Sequence, residues 1–182
     1  MDKTAACVES YRRLRSLKRV GLELGIPWQT VYVHLRKVGE PVTGDKLRYG
    51  SDTDRLAARA EHYFSELVPF ARDMNLTKFQ AKYDALVYGH RIDIKAARHL
   101  RGSWAFSLKK QERIADFFVA FAFDEGGKQI MHTFLFPADC MRHYSTVRVK
   151  DGNRWWAYRI EDCDLTDFMA QLRNISPTRE AA

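Results

Sequence analysis

Residues 83–95 read Tyr83-Asp84-Ala85-Leu86-Val87-Tyr88-Gly89-His90-Arg91-Ile92-Asp93-Ile94-Lys95. Two β-rich arms flank Gly89, which predicts a β-hairpin that turns at this glycine. With Tyr88 and Gly89 as the loop residues, Asp84 lies directly across from Asp93. A turn displaced by one residue still leaves the two acids as neighbours. The segment therefore predicts a pair of facing carboxylates.

The second arm of this hairpin has two chemically different faces. Asp93 and Lys95 are two positions apart on one strand and therefore point to the same side. Ile92, Ile94 and Ala96 point to the other side, toward a core. The hairpin thus predicts two acids and a lysine on one face, with an apolar face behind them.

Two facing carboxylates repel each other and destabilise a hairpin. A divalent cation between Asp84 and Asp93 would turn that penalty into binding energy, and hard oxygen ligands favour Mg²⁺ or Mn²⁺. The alternative is a surface hairpin in which Lys95 and Arg91 neutralise the two acids. The segment upstream of the hairpin favours the metal site.

That upstream segment, residues 52–70, has the apolar periodicity of an amphipathic helix. Glu66 belongs to the outward side, whereas Glu61 falls at the edge of the inward stripe. An acid beside an apolar face needs a partner, which makes Glu61 a candidate for the same site. The inward positions are Leu56, Ala60, Phe64, Leu67 and Val68.

The order Glu61, then Asp84, then Asp93-Ile94-Lys95 resembles the PD-(D/E)XK nuclease superfamily. Tyr83 replaces the proline that names the family, at a position that varies. The resemblance covers roughly residues 52–158. It continues through residues 103–108, a charged helical or turn segment from Lys109, an apolar strand at 115–124, and a strand with a proline exit at 131–138.

This resemblance implies an α/β fold with a restriction-endonuclease-like mixed sheet flanked by helices. It also implies that Asp84 and Asp93 bind the metal, that Lys95 orients or activates the attacking water and steadies the phosphate, and that Glu61 supports the metal shell. The residue types suit phosphodiester hydrolysis, which needs a hydroxide nucleophile near neutral pH and positive charge on the developing pentavalent phosphate. One ion or two would fit this scheme.

Residues 16–37 predict a helix, a glycine turn and a second helix. Gly25 suits a left-handed helix end, Pro27 suits a first helical position, and Val31 and Leu35 are spaced to pack inward. The pattern resembles the helix-turn-helix of invertases and transposases, and a helix over residues 4–15 would complete the bundle. The resemblance implies that the major groove of DNA meets Trp28, Gln29, Tyr32 and Arg36.

Basic charge is concentrated in this same region. Up to Gly50 the chain holds ten Lys and Arg against five Asp and Glu, a net +5 of the +7 for the whole protein. Clustered basic charge beside a recognition helix is typical of DNA binding, and we expect Arg12 and Arg13 to contact phosphates. The alternative is a small helical hairpin used for packing or dimerisation.

Length and composition fit two units. With 182 residues and 46% hydrophobic content, the chain can bury a core. We predict a helix-turn-helix domain and linker at 1–50, a nuclease domain at 51–174 and a disordered tail at 175–182, with the boundary within 39–54. Cys7, Cys140 and Cys163 have the spacing of neither a zinc site nor a disulfide framework.

These features predict an endodeoxyribonuclease of homing, phage or restriction type that acts on double-stranded DNA with Mg²⁺, or Mn²⁺ as a substitute. A Holliday-junction resolvase is the alternative among enzymes, and a DNA-binding regulator with an inactive nuclease domain is the alternative outside them. Two-strand cutting with one active site per chain predicts a homodimer. The absence of a long apolar run and of a signal peptide predicts a soluble, cytoplasmic protein with no membrane contact, encoded by a bacterium or phage.

Overall fold

The computed structural model describes residues 2–40, 42, 51–74, 83–108, 115–141 and 143–177. Its contacts divide the chain into two compact units, the first running to Arg55 and the second beginning at Leu56. Most of the predicted linker at 39–54, and the charged segment from Lys109, lie outside the described residues. Within the described part, no helix is long and apolar enough to cross a membrane.

The first unit contains the three predicted helices, α1 (Lys3–Leu14), α2 (Leu17–Leu24) and α3 (Trp28–Lys37). Ser16 caps α2 through its side chain, and Gly25 ends that helix in the left-handed conformation at φ 66°. Pro27 lies at the N-cap of α3, one position before the predicted one. The buried core is formed by Cys7, Tyr11, Leu17, Val20, Val31, Leu35 and Val42.

Gly21 allows the turn after α2 to fold back onto that helix. A Cβ atom at this position would lie 2.7 Å from the carbonyl oxygen of Ile26 and 3.3 Å from the nitrogen of Trp28. Both neighbours are backbone atoms, which cannot move aside as a flexible side chain can. The close approach of the α2–α3 turn therefore requires glycine here.

The second unit is built on a mixed six-stranded sheet in the order β1-β2-β3-β5-β6-β8. Strands β3 and β5 are parallel, and the other neighbours are antiparallel. A separate two-stranded antiparallel ribbon joins β4 and β7. The strands are β1 (Arg72–Asp73), β2 (Ala85–Val87), β3 (His90–Arg98), β4 (Trp104–Ser107), β5 (Phe117–Phe123), β6 (Ile130–Pro137), β7 (Thr146–Val149) and β8 (Arg159–Ile160).

Two helices cover one face of the sheet. They are α4 (Asp52–Leu67), which ends three residues before the predicted 70, and α5 (Asp162–Gln171). Both pack on one apolar core with β3 and β5. That core includes Leu56, Ala60, Phe64, Val68, Ile92, Val119, Phe121, Leu165 and Met169.

The ribbon covers the opposite face. Alternate residues of β5 point to the two sides, so Val119 and Phe121 join the helix-side core while Phe118, Ala120 and Ala122 join the ribbon-side core. The central strand β5 is consequently buried along almost its whole length. The ribbon contributes Trp104, Phe106, Val147 and Val149 to this second core.

The end of the chain contacts the predicted hairpin. His90 Nε2 donates a hydrogen bond to the carbonyl oxygen of Ile175 at 3.0 Å. A Cβ atom on Gly89 would lie 2.8 Å from Cγ of Pro177. Packed structure therefore extends beyond Asn174 into the segment predicted as a disordered tail, of which residues 178–182 lie outside the described part.

Candidate functional site

The predicted hairpin is confirmed by the pairing of β2 with β3. Its two loop residues, Tyr88 and Gly89, have φ of 48° and 90°, and positive φ at both central residues is the signature of a type I′ turn. Ala85 pairs with Ile92, and Asp84 N donates a 3.0 Å hydrogen bond to the carbonyl oxygen of the same Ile92. Asp84 thus lies at the end of the ladder, where its side chain forms a hydrogen bond with that of Asp93.

A short hydrogen bond orients each of the two carboxylates. Lys95 Nζ donates to Asp93 Oδ1 at 2.7 Å, and each of these two side chains is only 18% exposed. Asp84 Oδ2 accepts from the backbone nitrogen of Ile94 at 2.7 Å. The backbone thus orients one carboxylate, and Lys95 orients the other.

Asp93 has an electrostatic environment unlike that of a surface acid. Burial is the largest cause that raises the pKa of this carboxyl, to about 6. The charge of Asp84 and a hydrogen bond with it raise the pKa further, whereas the charge and hydrogen bond of Lys95 oppose the shift. The lysine therefore compensates only in part for burial and for the facing acid.

The site lies on the ribbon side of the sheet. Ile92 and Ile94 point toward the helix-side core, so Asp93 and Lys95 point to the other face. In the parallel register Asp93 pairs with Phe118 and Lys95 pairs with Ala120, and both of these partners belong to the ribbon-side core. The site is thus flanked by an apolar surface that lowers the local dielectric.

Glu61 comes from the other side of the sheet. It is half-buried on α4, a helix that packs against the face of Ile92 and Ile94. Among the described residues, no group of three or more His, Cys, Asp and Glu side chains is placed to hold a metal ion. The structure therefore brings Asp84, Asp93 and Lys95 together. It does not place Glu61 beside them as a third acid.

The pair of donors still fits a magnesium ion. Two carboxylates that face each other, one of them buried and with a raised pKa, form a site that gains from a positive charge. Mg²⁺ keeps several of its own waters and typically takes only one or two protein carboxylates together with substrate phosphates. Asp84 and Asp93 would be the residues that hold it.

No protein-family model matches the chain, and no curated protein matches it. Among solved structures, it is similar to a bacterial homing endonuclease, I-Ssp6803I. The TM-score is 0.45 and the identity is 16%, over 74% of this chain and 96% of that chain. Similarity at this level assigns neither a family nor an activity.

In the first unit, the four residues expected to face DNA differ in exposure. Gln29 is exposed, and the guanidinium of Arg36 lies 5.8 Å from the ring centre of Tyr32. Trp28 and Tyr32 are half-buried and pack against the core of this unit. Part of each aromatic ring is therefore used for folding.

Val33 is an outward residue of α3 that the sequence analysis did not single out. It is 50% exposed and lies one turn after Gln29, with Lys37 a further turn along. The outward position of Val33 could have been predicted from the sequence, because Val33 falls outside the inward positions Val31 and Leu35. On a helix that lies in the major groove, an exposed methyl-bearing side chain can contact the methyl group of thymine.

The two arginines expected to contact phosphates form ion pairs within the first unit. Arg12 NH2 lies 2.8 Å from Glu40 Oε2, and the Glu40 side chain is only 9% exposed. Arg13 Nη2 lies 2.6 Å from Glu23 Oε1, and hydrogen bonds from Ser10 and then from Arg13 hold the pKa of Glu23 below its ordinary value. Arg12 and Arg13 therefore have structural partners in the absence of DNA.

Proposed function

We propose that this protein is an endonuclease that hydrolyses phosphodiester bonds in double-stranded DNA with Mg²⁺. The observation that supports this proposal is the half-buried pair of acids, Asp84 and Asp93, with Lys95 hydrogen-bonded to Asp93 at 2.7 Å. A surface hairpin neutralised by salt bridges would leave its acids solvated and their pKa low. Asp93 instead has its pKa raised to about 6 by burial and by Asp84.

Each residue has a role that follows from its contacts. Asp84 and Asp93 hold the cation, which supplies Lewis acidity and a more acidic bound water when present. Lys95 presents a positive charge beside Asp93, where it can orient the attacking water and stabilise charge on the phosphate. The apolar ribbon-side surface strengthens these interactions because it excludes water.

We also propose that the first unit targets the nuclease to DNA as a helix-turn-helix. The support is the glycine turn between α2 and α3 and the exposed residues of α3. Because one active site cuts one strand, we expect a homodimer to cut a duplex, which size-exclusion chromatography with light scattering would measure.

The test of the proposal is cleavage of plasmid, linear duplex and four-way junction DNA. We expect cutting of duplex with Mg²⁺ or Mn²⁺ and none in chelator. Ca²⁺ should support binding without turnover, because its looser coordination positions the water poorly. Asp84→Asn and Asp93→Asn should abolish cutting, whereas Asp167→Asn, a control on an exposed acid of α5, should not.

Four outcomes would argue against this function. Full activity in chelator would refute a metal mechanism. Normal turnover of both Asp84→Asn and Asp93→Asn would refute the site. Binding of DNA with no cutting of any substrate would favour a regulator, and exclusive cutting of the four-way junction would favour a resolvase.

A further inference from the structure

The two-stranded ribbon presents an outer face that no element of the second unit covers within the described residues. Its inner residues are buried against the sheet, and Ala105, Ser107, Thr146 and Arg148 alternate to the outside. Ala105 pairs with Arg148, and Ser107 pairs with Thr146. This face therefore consists of short side chains beside an arginine, with no bulky group to keep a partner away.

Basic residues surround this face. Residues 99–108 and 143–160, which form the ribbon and its flanks, contain five Lys and Arg against one acid. The helices on the other face have the opposite balance, since residues 56–67 and 162–171 contain five Asp and Glu against one Arg. The basic residues are Arg101, Arg148, Lys150, Arg154 and Arg159, of which Arg159 forms an ion pair with Glu161.

The cations of the ribbon are available to a ligand. Among the described residues, no carboxylate forms an ion pair with Arg148 or Lys150, and both are exposed. Arg154 is held in place by aromatic rings, because its guanidinium lies 4.2 Å from the ring centre of Trp155 and 5.1 Å from that of Tyr144. A guanidinium that is already ordered loses less entropy when it binds an anion.

The ribbon lies on the same face of the sheet as Asp93 and Lys95. Ala97, two positions after Lys95 on the same strand, belongs to the core that the ribbon covers. A duplex whose phosphate reaches Lys95 would approach this face rather than the acidic helix face, which repels it. A ribbon of two strands is also narrow enough to lie along a major groove about 12 Å wide.

We propose that the outer face of the β4–β7 ribbon is a second DNA-contacting surface, in which Arg148 and Lys150 bind phosphates of the duplex. This inference rests on the proposed nuclease function and adds a surface to it. The ribbon positions the backbone for cleavage, and its contacts are independent of sequence.

The first test measures DNA affinity of the full chain against salt concentration, by fluorescence anisotropy with a labelled duplex in Ca²⁺. We expect Arg148→Glu and Lys150→Glu each to weaken binding about tenfold and to reduce the slope of log affinity against log salt by about 0.9. Arg173→Glu is the matched control, because it reverses an exposed basic residue next to α5. It should leave the slope unchanged.

The second test does not depend on charge. A photoreactive benzoylphenylalanine at Ser107, on the outer face of the ribbon, should cross-link to the duplex. The same group at the exposed Ser65 of α4 should not. The two positions are both serines, so their replacement perturbs the protein similarly.

The outcomes separate this inference from the nuclease proposal. If the wild-type chain neither binds nor cuts DNA, both fail. If it binds and cuts but both ribbon variants behave like Arg173→Glu, and Ser107 gives no cross-link, the ribbon proposal alone fails.

Discussion

Asp93 carries its carboxylate in an environment that disfavours a negative charge. Its carboxylate is largely removed from solvent and faces Asp84, and Lys95 compensates in part for both effects on its pKa. A carboxylate in this position is a cost to folding that a bound cation would offset. Two predictions follow from this environment at the level of single residues.

The first concerns pH in the metal-free protein. The pKa of Asp93 is raised from 3.8 to about 6, so between these values the folded state binds more protons than the unfolded state. The free energy of unfolding due to this group is therefore higher below the window and falls as pH rises through it. Calorimetry in chelator should show that the melting temperature of Asp93→Asn rises relative to wild type between about pH 4 and 6.

A difference in melting temperature that stays constant with pH would contradict this prediction. At pH 7, Mg²⁺ should raise the melting temperature of wild type, because it binds only the folded site. Asp93→Asn should lack most of this increase.

The second residue-scale prediction separates Lys95 from the metal ligands. Lys95→Ala should reduce cleavage by about 100-fold or more, since a charge that stabilises the transition state is removed. The stabilisation by Mg²⁺ should persist, because both carboxylates remain. Glu61→Ala should cut at a rate close to that of wild type, because Glu61 lies on α4, which packs against the opposite face of the sheet from Asp93.

Lys128→Ala, at an exposed lysine of the β5–β6 connection, is the control for these variants. Loss of Mg²⁺ stabilisation in Lys95→Ala would show that the variant disrupts the site as a whole. Normal cleavage by Lys95→Ala would remove the lysine from the mechanism.

At the scale of elements, the hairpin turn sets the register of the two acids. Gly89 has a φ of 90°, and a Cβ there would meet Pro177 at 2.8 Å. Gly89→Ala should therefore lower the free energy of unfolding by about 1–3 kcal/mol. Gly126→Ala is the matched control, because a Cβ there would make only ordinary contacts, the nearest at 3.7 Å.

Gly126→Ala should be neutral or slightly stabilising. Chemical denaturation of the two variants measures the comparison. Equal stability of both would mean that the hairpin tolerates other backbone angles, and cleavage by Gly89→Ala would then be unaffected as well.

The ion pairs of α1 give a prediction for the first unit. Arg12→Ala should lower the melting temperature of the first unit, because Glu40 is almost fully buried and would lose its partner. Arg19→Ala should leave stability unchanged but reduce the salt slope of DNA binding by about 0.9, if this exposed residue of α2 contacts a phosphate. Thermal melts and salt titrations of both variants would be compared.

If Arg12 instead contacts a phosphate, as the sequence predicts, the expected results differ. If Arg12→Ala keeps the wild-type melting temperature and reduces the salt slope, DNA rather than Glu40 is its main partner. The same comparison applies to Arg13, which pairs with Glu23.

For the whole molecule, the proposal assigns sequence preference to the first unit and DNA cleavage to the second. Gln29→Ala and Val33→Ala should reduce discrimination between duplex sites, by about 1–3 kcal/mol for a lost bidentate contact from Gln29. The rate of cutting at saturating DNA should change little, since the catalytic acids are untouched. Gln171→Ala removes the same exposed amide from α5 and serves as the control.

Selection of cleaved sites from a random duplex library measures this preference. An unchanged site profile in both α3 variants would mean that the first unit is not the reading element.

Local pattern alone was sufficient for much of this structure. The turn at Tyr88 and Gly89, the alternation along β3 and the inward positions of α3 and α4 each depend on the period of one element, which is readable without knowing the rest of the fold. The facing of Asp84 and Asp93 is a consequence of such a local turn. It could therefore be predicted before the topology was known.

Other features depend on segments far apart in the chain. The parallel pairing of β3 with β5, the ribbon partner Thr146–Val149 and the burial of Glu40 by packing within its unit have no signal within one segment. A strand of four residues is too short to give a distinct period, and an arginine does not reveal which acid it will meet. These contacts exist only because folding brings distant residues together, and so the burial of Asp93 and the basic ribbon beside it were decided by tertiary packing.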